Sequence, residues 1–129
     1  MKNSISDGEI LELPTRYRCE AKAHRELKYF ADRSMVQAGF TIRRMEHGNC
    51  DLVGHKDGKV TCVEIQTTPN HAVFNSLRNL LAGADRTVVV AANERVRKKI
   101  SEQVSKRVPL TMLGRVRVTT PENLFEALM

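Results

Sequence analysis

The stretch CDLVGHKDGKVTCVEIQTT, residues 50 to 68, constrains the fold of this chain more than any other. Asp57-Gly58 sits between two apolar runs. Such a dipeptide favours a two-residue hairpin loop with positive φ at both central residues. Loop length and turn type fix the register of the flanking strands. Lys56 then pairs with Lys59, His55 with Val60, Val53 with Cys62, and Asp51 with Glu64. Directly opposed residues of an antiparallel pair share a face, with Cβ atoms about 4.5–5.5 Å apart. The turn therefore sets two carboxylates side by side in segments that otherwise read as sheet core.

Like charges directly opposed are destabilising, and burial worsens the conflict by stripping hydration from each ion. A divalent cation removes it, since Mg²⁺ is commonly held by one or two carboxylates plus waters and phosphate oxygens. The alternative is a solvent-exposed strand end, with each acid beside an arginine. Gln66 lies two residues beyond Glu64 and so on the same strand face. Its amide can orient a water or bind a phosphate oxygen, but it supplies no positive charge. Glu26, on the first predicted helix, sits about 40° around from Phe30. At that margin of the apolar stripe it either reaches over the sheet or pairs with a neighbour such as Arg25.

The other elements follow from periodicity. Residues 1–15 read as an irregular lead-in, and 16–129 as one domain, a size that buries a core without staples. Ala23, Leu27, Phe30, Ala31, Ser34 and Ala38 recur at helical spacing over about 16–38, and Gly39 suits the helix stop. FTIRRM (40–45) alternates as a strand, and EHGN (46–49) is a turn. HAVFNSLRNLLAGA predicts a helix with Val73, Phe74, Leu77, Leu80 and Leu81 on one face and Gly83 as its stop. RTVVVAAN is a continuous apolar strand of the kind buried on both faces. Asn93 is an N-cap for a helix over 94–107 with a Val96, Ile100, Val104 stripe. RVRVTT is a short strand near an edge, and Thr120-Pro121 opens a last helix. The predicted fold is α/β, a mixed central sheet flanked by helices in the order αβββαβ, then αβα.

The net charge is +6, and it is spread through TRYRCEAKAHRELK, IRR and RVRKKISEQVSKR. A basic globular surface suits an anionic partner, most simply nucleic acid. On the 94–107 helix Arg95, Arg97, Lys98, Lys99, Lys106 and Arg107 outnumber Glu94 and Glu102. With the apolar stripe inward, that face suits phosphate contact without base readout. A merely solvated helix face is the alternative. The six aromatic residues are too few and too core-like for a base-stacking platform. Helix-turn-helix, zinc-finger and RNP patterns are absent.

No run reaches the roughly 20 apolar residues of a membrane span, and MKNSISDGEILEL lacks the apolar segment of a secretory signal. Three cysteines without CxxC spacing argue against a disulfide framework and point to a reducing, cytoplasmic compartment. His47, Cys50, His55, Cys62 and His71 cluster in sequence, but the hairpin register separates them and no CxxC or HxxxH anchors a zinc site. Cys50, beside Asp51, sits where an acid raises a thiol pKa, which disfavours a cysteine nucleophile.

Glu26 in the first helix, AGFTIRRM after it, Asp51, VEIQ at 63–66, then HAVFNSLRNLLAGA and RTVVVAAN follow one another in a telling order. Together they resemble the PD-(D/E)XK nuclease superfamily, the restriction-endonuclease-like fold, with a layout most similar to its archaeal Holliday-junction resolvases. The resemblance spans residues 20–92. It implies metal-assisted hydrolysis of DNA phosphodiesters, with Asp51, Glu64 and the main-chain carbonyl of Ile65 holding Mg²⁺ or Mn²⁺ and Glu26 assisting. Gln66 stands where the motif carries lysine. The resemblance leaves the cationic role to Arg78 or His71 on the following helix, or to Arg43 or Arg44 on the adjacent strand. A non-cleaving domain that binds DNA or docks protein in a larger assembly is the second expectation. A purely structural interaction module, with little salt-dependent DNA affinity, is the third. No membrane or small-molecule cofactor is expected. Nucleases of this kind often dimerise, and ENLFEALM, with Leu124, Phe125 and Leu128, either serves that contact or packs on the core.

Overall fold

Both hairpin-turn residues have positive φ, 54° at Asp57 and 76° at Gly58, in the computed structural model, which describes residues 21–43 and 50–129. That turn matches the right-handed twist of its strands. It sets the expected register: Lys56 opposite Lys59, His55 opposite Val60, Val53 opposite Cys62 and Leu52 opposite Val63.

The elements run α1 (Lys22–Gln37), β1 (Thr41–Arg43), β2 (Leu52–Lys56), β3 (Lys59–Gln66), α2 (Ala72–Leu81), β4 (Arg86–Ala91) and α3 (Glu94–Arg107). They end with α4 (Leu110–Leu113), β5 (Val116–Thr119), a 3₁₀ turn (Pro121–Asn123) and α5 (Leu124–Leu128). The expected order αβββαβ and αβα is present, with the single-turn α4 added between α3 and β5. Five strands form one sheet in the order β1-β2-β3-β4-β5. The first three are antiparallel neighbours; β3, β4 and β5 are parallel. The predicted lead-in, the first residues of the predicted helix (16–20), Arg44, Met45 and the 46–49 turn lie outside the described residues.

Strand alternation divides the core into two layers. Val53, Cys62, Val89 and Ala91 face Val73 and Leu80 of α2 and Val96, Ile100 and Val104 of α3. Leu52, Val63, Ile65, Val88 and Val90 face Ala31 and Met35 of α1 and Leu124 and Leu128 of α5. The C-terminal helix therefore packs on the core, leaving Phe125 exposed. Arg86 and Arg117 donate to the terminal carbonyls of α5, Arg86 to those of Ala127 and Leu128 and Arg117 to that of Ala127. Cations at a helix C-terminus satisfy its orphan acceptors. Gly54 makes room for α1: a Cβ there would lie 2.5 Å from Met35 Cε and 2.9 Å from Phe40 Cδ2.

The inward face of α2 differs from expectation. Ala72, Val73, Ser76, Asn79 and Leu80 are buried, whereas Phe74 and Leu81 are 60% and 76% exposed. Apolar spacing alone pointed to a face that included Phe74 and Leu81. Two polar residues turn inward instead because each finds a partner there. Ser76 bonds the Ala72 carbonyl at 2.8 Å, and Asn79 bonds a side chain on β3. No helix among the described residues is long and apolar enough to cross a membrane.

Candidate functional site

The last ladder pair of the hairpin is Leu52–Val63, so Asp51 lies one residue past it, at a bend. Its side chain turns toward β3, where Ile65 N–H donates to Asp51 Oδ2 at 2.8 Å. The carboxylate thus replaces the missing strand partner of Ile65. Within a strand, the N–H and C=O of one residue point to the same edge and alternate with the next residue. Gln66 C=O accepts from Ala92 N–H on the β4 side at 3.0 Å. Ile65 C=O therefore turns with its own N–H to the other edge, beyond the end of β2, where Asp51 lies.

Glu64 is 3% exposed, and its Oε2 accepts from Asn79 Nδ2 at 2.8 Å. Burial is the main cause that raises its pKa to about 7. The Asn79 bond opposes the rise, the Asp51 charge adds to it, and Arg78 and His24 offset part of it. The charges of Asp51, Arg78 and His24 thus all act on Glu64 at one end of the sheet. Cys50 and Cys62 border the same acids. Contact with the Cys62 thiol, burial and the charges of Glu64 and Asp51 all push the Cys50 thiol up. It stays protonated and is a poor nucleophile.

Glu26 is not part of this group. Its side chain is 66% exposed and lies 3.7 Å from Lys22. His24 Nε2 approaches Asp51 Oδ2 at 3.5 Å instead. Two residues further along a helix is about 200° around the axis, so Glu26 faces away from the side that His24 turns to the sheet. His24 continues the buried Ala31–Met35 side of α1, seven residues before Ala31. A histidine in line with an apolar stripe was the signal available in the sequence. Asn79, interrupting the inward face of α2, was the other.

Gln66 is buried, and with its amide oriented as the neighbouring acceptors require, its nitrogen donates to the carbonyls of Thr68 and Asn70, both at 3.0 Å. These bonds hold the loop into α2 and turn the nitrogen away from solvent. Among the candidate cations, Arg78 stacks its guanidinium 5.6 Å from the Phe74 ring centre, and its Nε is buried without a hydrogen-bond partner among the described residues. Arg43 is exposed on β1, opposite Val53, and so shares the sheet face of Cys62 and Glu64. His71 is exposed at the left-handed N-cap of α2, with φ 67°. Arg44 and His47 lie outside the described residues.

On α3, Asn93 Oδ1 accepts from Val96 N–H at 3.0 Å, as an N-cap should. Arg95, Lys98 and Lys99 are exposed near that start, beside the β3 end where Gln66 meets Ala92. Arg97 is engaged by Glu94 at 2.8 Å and by Ser101 at 3.3 Å. Lys106 and Arg107 close the helix, about 20 Å away by helical rise.

Among the described residues, no group of three or more His, Cys, Asp or Glu side chains is arranged to hold a metal ion. This leaves the His/Cys cluster without a tetrahedral set there. Asp51 and Glu64 each commit one oxygen to a protein donor and keep the other. Two carboxylate oxygens and one carbonyl suit a hydrated Mg²⁺ or Mn²⁺, which keeps several waters and takes oxygens from a phosphate ligand. They do not suit a structural zinc ion.

No protein-family model matches this chain, no curated protein is significantly similar to it, and no solved structure is significantly similar to it.

Proposed function

We propose that this protein is a restriction-endonuclease-like domain that binds DNA and hydrolyses its phosphodiester bonds with Mg²⁺ or Mn²⁺. The observation that carries the reading is the pair Asp51 and Glu64. Glu64 is buried at the end of β3 and pushed up to about 7, and the charge of Asp51 adds to that rise, so the two acids act on one another there. Asp51, Glu64 and the Ile65 carbonyl would hold the cation, which when bound lowers the pKa of an attacking water and stabilises charge on the phosphate. Arg78 supplies positive charge that acts on Glu64. Its Nε is buried and has no hydrogen-bond partner among the described residues, so this guanidinium is not simply a solvated surface group. Arg95, Lys98, Lys99 and Arg43 extend the basic surface along a DNA backbone. Cutting both strands with one such site per chain requires two copies.

A second reading, a domain that binds DNA or docks protein without cutting, is favoured by Gln66. Its amide nitrogen is tied to the carbonyls of Thr68 and Asn70. Loss of one group that stabilises developing charge costs about 10²–10³ in rate.

The test is nicking of supercoiled and branched DNA with Mg²⁺ or Mn²⁺ by the wild-type protein and Asp51→Asn. Cutting that needs the metal and disappears in Asp51→Asn supports hydrolysis. Salt-dependent binding by both proteins, with no cutting by either, selects the non-cleaving reading. Absence of binding removes both.

A further inference from the structure

Asn79 is an anomaly of packing. It is 2% exposed on a helix face otherwise made of Ala72, Val73, Leu80 and the self-satisfied Ser76. A buried carboxamide is costly without a partner, and the partner here is the Glu64 carboxylate, itself buried. Breaking such a pair is costly, yet replacing both members with well-packed apolar groups is often neutral or stabilising. Stability therefore does not account for the pair.

We propose that Asn79 is a positioning residue for the cation site. By donating to Oε2 it fixes the rotation of the Glu64 carboxylate and leaves Oε1 uncommitted. Asp51 is fixed in the same way, with Oδ2 held by Ile65 N–H. Each acid thus has one oxygen anchored and one offered. The carboxylates are aligned before any ion arrives, which is what partners of metal ligands do elsewhere. The inference rests on the metal-dependent reading above.

The experiment measures Mn²⁺ binding by electron paramagnetic resonance in the absence of DNA, for wild type, Asp51→Asn, Asn79→Leu, Asn79→Ser and the double variant Glu64→Leu/Asn79→Leu. Circular dichroism confirms folding in each case. Asn79→Leu is expected to weaken binding about 10- to 100-fold. Asn79→Ser, which keeps a short donor, should recover part of that loss. The double variant should be devoid of binding yet melt no lower than wild type. Wild-type-like Mn²⁺ affinity in folded Asn79→Leu, alongside loss in Asp51→Asn, overturns the positioning role and leaves the metal reading standing. A double variant that melts well below wild type shows that the pair serves stability and overturns the role as well. Wild-type protein that does not bind Mn²⁺ overturns both claims. If Asn79→Leu does not fold, the Ser variant decides: Mn²⁺ affinity below wild type supports the positioning role, and affinity equal to wild type overturns it.

Discussion

Ile65 N–H donates to Asp51 Oδ2 at 2.8 Å, one residue beyond the last β2–β3 ladder pair. This side-chain bond stands in for a missing strand partner, so Asp51 serves the fold as well as the candidate site. The two roles separate by substitution. Asp51→Ala leaves a backbone donor without its acceptor and should cost about 1–3 kcal/mol. Asp51→Asn keeps an acceptor and should unfold in urea close to wild type while losing metal-dependent cutting. Equal stability losses in both variants would contradict this division.

Glu64 makes stability depend on pH. Its carboxyl, raised to about 7 from an ordinary 4.5, binds its proton more tightly in the folded chain than in the unfolded one. The folded state therefore loses stability as pH rises from about 4.5 through about 7, with no further loss above. The full difference is on the order of 3 kcal/mol. Urea unfolding of wild type and Glu64→Gln across this range should show the variant gaining relative to wild type as pH rises. A difference that does not change with pH contradicts the buried, proton-binding Glu64. A bound cation opposes the loss, so added Mn²⁺ should stabilise wild type more at pH 8 than at pH 5.

Gln66 should not behave as a disabled lysine. Its amide nitrogen bonds Thr68 and Asn70 at the entry to α2. Gln66→Lys replaces a neutral amide that fits the loop carbonyls with a longer side chain whose charged ammonium loses its hydration on burial. It should lower stability by about 1–3 kcal/mol without raising cutting. A stable, faster Gln66→Lys variant would show that this position awaits a cation.

The basic residues should divide by engagement rather than by charge. Arg78→Gln is expected to reduce cutting more than binding, since the Arg78 charge acts on Glu64. Arg97→Gln should change DNA affinity little, because Glu94 holds that guanidinium. Lys98→Gln with Lys99→Gln should weaken DNA binding and reduce its salt dependence by about one phosphate contact per charge. Equal effects from Arg97 and Lys98 would contradict this ordering.

Much of the fold was legible because local rules decided it. Asp57-Gly58 dictated the turn and the register, the Val96, Ile100, Val104 stripe dictated α3, and RTVVVAA dictated a strand covered on both faces. Gly54 also has a local consequence: Gly54→Ala should cost about 1–3 kcal/mol by crowding Met35 and Phe40. The partners of the acids were not legible. Glu26 and His24 stand two residues apart, and only the packing of α1 decides which reaches the sheet. Apolar spacing favoured a face of α2 containing Phe74, whereas the bond to Glu64 turned Asn79 inward. The purpose of Gln66 depends on loop carbonyls that no periodicity reveals.

The most direct test is a crystal of the protein soaked in Mn²⁺ at pH 8, with anomalous data collected. One manganese peak between the Asp51 and Glu64 side chains, within ligand distance of both carboxylates and of the Ile65 carbonyl, is the predicted result. A fully ordered Asp51–Glu64 region without manganese, or with the two carboxylates turned to opposite sides of the sheet, would contradict the account.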